Sequence, residues 1–171
     1  RIRLFSNFGA DQVILVRDRA AKDKFQKLMP NSHSLVLTIK EAKGLEWKDV
    51  VLYNFFSGSS KENQSALRLV YTYMKSRGLN CSQAGPVQDN RHQNLSVELK
   101  NFYVGITRAK WMVWIYEEDQ QAIQPILDLW HHGVACYRDA DDPLNTTAPL
   151  VTVMSDGQLT NLTIAHESTP E

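Results

Sequence analysis

The sequence predicts an α/β fold in which helices cover both faces of a mostly parallel sheet. Three short apolar runs, at residues 12–16, 34–38 and 49–55, are bounded by polar residues and have the length of strands buried on both faces. A segment with helical spacing follows the first run, and the order strand, helix, strand, loop, strand is typical of parallel sheets. Because 43% of the 171 residues are apolar, the chain can also bury a sizeable core.

The first helix is predicted between the first and second strands. Asp18 is a residue type that caps helices, Pro30 ends the segment, and apolar residues repeat at helical spacing between them. The buried face of this helix is predicted to consist of Ala21, Phe25 and Leu28. After the second strand comes a polar loop, residues 39–48, which contains Gly44 and leads into the third strand.

Three further helices and a fourth strand are predicted after the third strand. One helix spans residues 63–76, and after a polar loop another spans residues 95–110. The buried stripe of the latter is predicted to consist of Leu95, Leu99, Phe102, Tyr103 and Ile106. The fourth strand, residues 111–116, is followed by a last helix to about Trp130. Pro125 predicts that this helix breaks, or begins only there.

Residues 133–171 differ from the rest of the chain in charge. The chain has 19 basic and 19 acidic residues, but this segment contains one basic and six acidic residues, which leaves a basic surplus in residues 1–132. One strand is predicted within it, at residues 149–154. The sequence therefore predicts a domain over residues 1–132 and a polar, acidic C-terminal extension over residues 133–171. The balanced net charge excludes a generally basic nucleic-acid coat.

Cysteine content and hydropathy predict an intracellular protein of a reducing compartment, the nucleus or the cytoplasm. Cys81 and Cys136 are too few for a disulfide framework or a cysteine-based zinc site. No apolar run approaches the ~20 residues that cross a bilayer, and no signal peptide is visible, so we expect neither a membrane nor secretion. Adjacent His131 and His132 point apart on a helix, and no metal site is expected there.

Two polar segments beside predicted strands are candidates for a binding site. In the first, residues 38–47, Gly44 lets the backbone approach a phosphate closely, and Glu46 could accept hydrogen bonds from ribose hydroxyls. Thr38 and Lys40 in the same segment could donate to nucleic-acid phosphates. The alternative is a glycine turn with solvated charges.

The second segment contains Arg108, which precedes the fourth strand. A fixed guanidinium could stabilise charge on a transferring phosphoryl group, or it could only complement the dipole at the helix end. Arg17 could likewise be a charge that merely ends a strand. Ligands of open α/β sheets bind outside the C-terminal ends of the strands, where we expect residues 38–46 and Arg17. Trp47 could stack on a base, whereas the other tryptophans are expected in the core or at a domain interface.

These segments resemble known helicase motifs. Thr-Ile-Lys-Glu-Ala-Lys-Gly-Leu-Glu-Trp at residues 38–47 resembles motif V of the UvrD/Rep/PcrA group of superfamily 1 helicases. Within residues 102–109, Tyr-Val-Gly-Ile-Thr-Arg-Ala is similar to motif VI of that group. The resemblance extends over roughly residues 10–118. Two motifs in this order, each beside a strand, are highly specific.

The resemblance implies a three-layer, RecA-like domain with a P-loop NTPase fold, the second of two such domains in a motor. In that group, ATP and Mg²⁺ lie in the cleft between the two domains, and the track is single-stranded nucleic acid. The ATP-binding residues would be Gly44, Glu46 and Arg108, with Arg17 beside them and with Arg108 as the catalytic residue. The nucleic-acid-binding residues would be Thr38, Lys40 and Trp47.

The sequence departs from that group in three ways. It contains neither a Gly-x-x-x-x-Gly-Lys-Ser/Thr phosphate loop nor an Asp-Glu pair for magnesium. The N-terminal RecA-like domain, which holds most of the ATP and Mg²⁺, is therefore expected as a partner, and this chain alone should not hydrolyse ATP. Lys40 stands where the group usually has His. Only about residues 55–97 separate the motifs, a spacing similar to the helicase-like segments of large proteins with TPR and ankyrin repeats.

These features predict the C-terminal motor domain of an ATP-dependent DNA or RNA helicase or translocase. The alternative is a degenerate, non-catalytic helicase-like module that acts as an interaction scaffold in a large protein. An intact phosphate loop upstream would favour the motor, and its absence would favour the scaffold.

Overall fold

The computed structural model describes residues 9–79, 89–137, 150–155 and 158–163. Side chains are described for residues 9–79 and 92–131. Cys81 and the acidic residues of the predicted C-terminal extension lie outside the described residues.

The described part of the chain contains one sheet with the strand order β2-β1-β3-β4-β5-β6. The strands are β1 (Gln12–Val16), β2 (Val36–Thr38), β3 (Trp47–Tyr53), β4 (Ala109–Tyr116), β5 (Leu150–Ser155) and β6 (Gln158–Thr163). Strands β1 to β5 are parallel, and β6 pairs antiparallel with β5. In the centre of the sheet, Val51 of β3 pairs with Ile14 on one side and with Trp114 on the other.

Helices connect these strands, and polar residues fix several of their ends. The helices are α1 (Arg19–Leu28), α2 (Lys61–Leu67), α3 (Leu69–Ser76), α4 (Asp89–Ile106) and α5 (Gln120–Tyr137). Asp18 caps α1, because its carboxylate accepts the N–H of Ala21 at 2.9 Å. Ser60 caps α2 through the N–H of Asn63 at 3.3 Å. Gly78, with a φ of +79°, follows the end of α3 in the conformation that glycine adopts most easily.

The helices form a layer on each face of the sheet. On one face, Phe25 of α1 packs against Ile14, Val16 and Val51. On the other face, α2 to α5 pack over the larger core, whose fully buried side chains include Leu15, Leu52, Phe55, Phe56, Leu67, Met74, Ile115, Ile123 and Ile126. Burial of each large apolar side chain contributes roughly 1.5–3 kcal/mol. This three-layer arrangement around a mostly parallel sheet confirms the predicted fold class.

Two side chains that were predicted in buried helix faces are exposed instead. The exposed fractions are 48% for Leu28 and 65% for Tyr103. In α4 the contact with the sheet is centred on Phe102, and Tyr103 lies roughly 100° further around the helix. The helix predicted over residues 63–76 is also two helices, α2 and α3, which meet at Arg68. Apolar spacing indicates a helix but does not define how wide its buried face is.

The last helix, α5, continues through Pro125, where the sequence predicted a break or a start. Proline has no N–H, so the carbonyl of Gln121 loses its partner in the helix. Gln121 is exposed, and water can satisfy that carbonyl. Burial of Ile123, Ile126 and Leu127 on the sheet offsets the loss.

The segment after residue 132 contains regular structure. Helix α5 ends at Tyr137, beyond the predicted boundary between residues 132 and 133. The strand predicted at residues 149–154 is β5, and β6 was not predicted, because its sequence is mostly polar. Both strands extend the sheet beside β4. The division into a domain and an extension stays a prediction.

Candidate functional site

The parallel strands give the sheet two different edges. We call the edge where β1 to β4 end the C-terminal edge, and the edge where they begin the N-terminal edge. Arg17 and Thr38 lie at the C-terminal edge, because they stand at the ends of β1 and β2. Glu46 and Arg108 lie at the N-terminal edge, because they directly precede β3 and β4. The expectation that all of residues 38–46 lie at the C-terminal edge is therefore wrong, since this segment crosses from one edge to the other.

The crossing segment begins with a reciprocal cap. Glu41 donates its N–H to Thr38 Oγ1 at 3.1 Å, and Thr38 donates its N–H to Glu41 Oε2 at 2.8 Å. Lys22 of α1 donates to the same carboxylate at 2.8 Å. The Lys22 ammonium and, after it, the Thr38 N–H lower the pKa of Glu41 to about 2. Ile39 and Ala42 are buried, so the turn is fixed against both the sheet and α1.

The three residues predicted to contact nucleic acid do not share one surface. Lys40 is exposed on the capped turn at the C-terminal edge. Thr38 is buried, and its hydroxyl already accepts the N–H of Glu41. Trp47 is the first residue of β3, at the opposite edge, where it is partly buried against the larger core. At the C-terminal edge, Lys40 is therefore the candidate whose charge faces solvent.

Gly44 and Glu46 end the crossing segment in open surroundings. Gly44 has a φ of +83°, and a Cβ added there would meet no atom within 4 Å. The glycine is thus required by the backbone conformation, and the space beside its α-carbon is free. The carboxylate of Glu46 lies 3.6 Å from the ammonium of Lys110, and both side chains are more than half exposed. Because exposed pairs of this kind are weak, Glu46 remains available to a ligand.

Arg108 joins the two motif segments at the N-terminal edge. Its Nη1 donates to the carbonyl of Leu45 at 3.2 Å, and its own carbonyl accepts the N–H of Trp47 at 2.9 Å. Its Nε donates to the carbonyl of Val104 at 3.0 Å, and its Nη2 donates to Thr107 Oγ1 at 3.2 Å. The hydrogen bond to the Val104 carbonyl is the contact expected if Arg108 only complements the dipole at the end of the helix. The side-chain contacts use three of the five guanidinium N–H groups and leave two for a ligand.

Arg17 is directed into the protein. Its guanidinium forms a two-pronged ion pair with Glu98 of α4, with one contact of 2.7 Å, and it also donates to the carbonyl of Phe55 at 3.2 Å. Its Cζ lies 5.2 Å from the centre of the Phe55 ring, and only 15% of the side chain is exposed. This corrects the prediction of Arg17 as an ATP-binding residue, because the internal ion pair occupies the group that a phosphate would need.

Two buried carboxylates that the sequence interpretation missed hold the loop of residues 54–60, which follows β3. Glu98 has no exposed surface, and besides Arg17 it accepts hydrogen bonds from Ser59 and Asn63. A signal was available, since Glu98 stands four residues before Phe102 and so belongs to the buried stripe of its helix.

The second buried carboxylate is Glu117, directly after β4. It accepts the N–H groups of Phe56 and Ser57 at 2.9 and 2.8 Å, and the Ser57 hydroxyl as well. Burial raises the pKa of Glu117 from 4.5 to about 7, against the opposing effect of these hydrogen bonds. Its position directly after a buried strand could have marked it for attention.

Several aromatic and apolar side chains of α4 and β4 are exposed on the surface of the domain. A groove along α4 is lined by His92, Leu95, Ser96, Leu99, Lys100, Tyr103 and Val104. Trp111, at the start of β4, is 69% exposed, and the ammonium of Lys48 lies 5.6 Å from the centre of its ring. The exposure excludes Trp111 from the core, and the other expectation for this residue, a domain interface, stays a prediction.

Within the described residues, no group of three or more His, Cys, Asp or Glu side chains could hold a metal ion. Across the same residues, no helix is long and apolar enough to cross a membrane.

Comparison with known protein families identifies the family of this chain. Residues 13–119 match the family model of the UvrD-like helicase C-terminal domain, which is more than half of the chain. The chain therefore belongs to the family of UvrD-like helicase C-terminal domains.

A similar protein is human TPR and ankyrin repeat-containing protein 1, which is 37% identical to this chain over 134 residues. The matched region is 69% of this chain and 4% of that protein, so the chain spans only a small part of its relative. No solved structure matches the chain.

Proposed function

We propose that this chain supplies the second half of the ATP cleft, and part of the single-strand track, of a superfamily 1 helicase or translocase. The observation that carries the proposal is the contact between the two motif segments, in which Arg108 donates to the carbonyl of Leu45. This contact holds a guanidinium beside the open backbone of Gly44 and the exposed carboxylate of Glu46. Nucleotide contact is therefore assigned to the N-terminal edge.

Nucleic-acid contact is assigned to the C-terminal edge, through Lys40 on its capped turn. The ion pair between Lys22 and Glu41 and the buried Ile39 hold that turn in place. Residues 38–46 span the distance between the edges, so movement at one edge can reach the other through a single segment. This gives a physical route by which nucleotide state could change the hold on a strand.

The residues at the N-terminal edge fit a phosphate better than they fit Mg²⁺. Arg108 has two N–H groups left for an anion, and a ligand could approach Gly44 without a clash. Mg²⁺ requires several oxygen ligands, whereas the carboxylate of Glu46 lies beside Lys110. We infer that the N-terminal RecA-like domain is the partner that holds Mg²⁺ and most of the ATP. When bound, ATP supplies the phosphoryl transfer that drives movement.

A second candidate function is that of a non-catalytic scaffold. The observation that favours it is the exposure of Tyr103 and Trp111, since exposed aromatic residues are common anchors of protein interfaces.

The localisation proposed for either function is an intracellular, reducing compartment.

The test is ATP turnover by the longest natural polypeptide that contains this chain, with and without single-stranded DNA or RNA. The motor predicts turnover that the nucleic acid stimulates, and the scaffold predicts none in either condition. The 171-residue chain, which has no phosphate loop, serves as the control that should be inactive. Absence of turnover from a folded polypeptide with an intact phosphate loop would contradict the motor.

A further inference from the structure

Glu98 is a buried charge with an unusually complete set of donors. Its carboxylate has no exposed surface, and the donors come from three different parts of the fold. They are Arg17 after β1, Ser59 in the loop of residues 54–60, and Asn63 in α2. A buried carboxylate is tolerated only when it is paired and hydrogen-bonded, so these groups and α4 hold one another in a single arrangement.

Helix α4 connects Glu98 to Arg108. From Glu98 to its end at Ile106 the helix is about 12 Å long. Between them, a Cβ added at Gly105 would lie 2.8 Å from Leu52 and 3.0 Å from Ile39, so the helix lies very close to the sheet. Phe102 is buried in the same contact. Glu98 and Gly105 thus fix the axial position of the helix, and Arg108 is the second residue after its end at Ile106.

We propose that Glu98 is a positioning residue for Arg108, and that Arg17 acts through Glu98 and not on the nucleotide. Because Arg17 and the loop of residues 54–60 lie at the C-terminal edge, this ion pair is a second connection between the two edges, separate from residues 38–46. The proposal rests on the proposed function only in so far as Arg108 faces a nucleotide. The mechanical link from Glu98 to Arg108 can be measured without ATP.

The test compares Glu98→Gln with Asp128→Asn in this chain by NMR. Asp128 is a suitable control because it also accepts side-chain hydrogen bonds, from Tyr71 at 2.7 Å and from Gln124 at 2.7 Å, but it lies on α5. Two reporters are followed: the Nε–H signal of Arg108, and the hydrogen exchange of the Trp47 amide that donates to the Arg108 carbonyl. Amide signals of residues 99–102 report whether α4 remains helical.

Glu98→Gln should shift the Arg108 signal and speed exchange of the Trp47 amide by about tenfold or more, while residues 99–102 keep helical signals. Asp128→Asn should change neither reporter. Unchanged reporters in a folded Glu98→Gln chain would overturn the proposal. If that variant does not fold, Arg17→Lys takes its place, since it keeps the charge but loses the fork. A smaller shift of the Arg108 signal is then expected. The absence of any shift would overturn the proposal.

Turnover of the longer polypeptide separates this proposal from the proposed function. If Glu98 acts through Arg108, the double variant Glu98→Gln/Arg108→Ala should be no slower than Arg108→Ala. A further loss in the double variant would contradict the positioning role. Normal turnover of Arg108→Ala would contradict the proposed function, and the NMR comparison would still decide whether Glu98 holds Arg108.

Discussion

The two edges of the same parallel sheet use their charged residues in opposite ways. At the C-terminal edge, Arg17, Glu98 and Glu117 are directed inward and hold the loop of residues 54–60. At the N-terminal edge, Glu46 and Lys110 are more than half exposed. A charge at the end of a strand is therefore evidence for a ligand site only when its burial and its partners leave it available. Lys40 meets that condition at the C-terminal edge, and Arg17 does not.

The largest effect is expected at the N-terminal edge, from Arg108→Ala. If the guanidinium stabilises charge on a transferred phosphoryl group, turnover of the longer polypeptide should fall on the order of 10³-fold or more. ATP affinity should fall less, because the proposed N-terminal domain would hold most of the ATP in the ground state. The melting temperature of this chain should fall moderately, because the variant also loses the three side-chain hydrogen bonds of Arg108, each worth about 0.5–1.5 kcal/mol.

Arg108→Lys is the matched variant, because it keeps the charge but not the planar fork. Its ATP turnover in the longer polypeptide should also be slow. Normal turnover combined with a lowered melting temperature would leave Arg108 as a structural residue. The two edges would then not differ in function.

The buried carboxylate of Glu117 should give the C-terminal edge a characteristic dependence on pH. Its pKa is raised from 4.5 to about 7 in the folded chain, so the folded state binds the proton more tightly than the unfolded state does. The contribution of Glu117 to the free energy of unfolding is therefore fully present below pH 4.5 and is lost as the pH rises through about 7. The total loss is on the order of 3 kcal/mol.

Urea unfolding between pH 5 and 8.5 measures this effect. Glu117→Gln should reduce the pH dependence of the free energy of unfolding, whether or not it changes the absolute stability. Glu118→Gln is the control, because it changes the next residue, which is exposed, and it should leave the slope intact. An unchanged slope in Glu117→Gln would show that another group is responsible.

A smaller loss of stability is expected from Gly105→Ala in α4. The added methyl would lie 2.8 Å from the side-chain end of Leu52 and 3.0 Å from that of Ile39, so either these buried side chains or the helix must shift. Overpacking of this kind costs about 1–3 kcal/mol. Gly9→Ala is the control, since its methyl would meet no atom closer than 4.0 Å. Equal melting temperatures for the two variants would argue against a tight contact between α4 and the sheet.

Much of the fold was accessible from local patterns in the sequence. Strands β1 to β5 and the cap at Asp18 follow from apolar runs and capping chemistry, and the structure confirms them. The width of the buried helix faces was not accessible, so Tyr103 was expected inside. The partner of Arg17 was not accessible either, because Glu98 is distant along the chain and meets Arg17 only through the sheet and α4. The separation of the two edges, in contrast, could have been predicted, because in a parallel sheet the end of one strand and the start of the next lie at opposite edges.

The most direct test of the two-edge account is the affinity of this chain for a single-stranded oligonucleotide, measured in Lys40→Ala and Lys110→Ala at several salt concentrations. Both lysines are exposed and each change removes one charge, but Lys40 lies at the C-terminal edge and Lys110 at the N-terminal edge. Lys40→Ala should weaken binding several-fold at low salt and reduce the salt slope by about 0.7, as expected for one lost phosphate contact. Lys110→Ala should change neither. Equal losses in the two variants, or a loss confined to Lys110→Ala, would contradict the assignment of nucleic acid to the C-terminal edge.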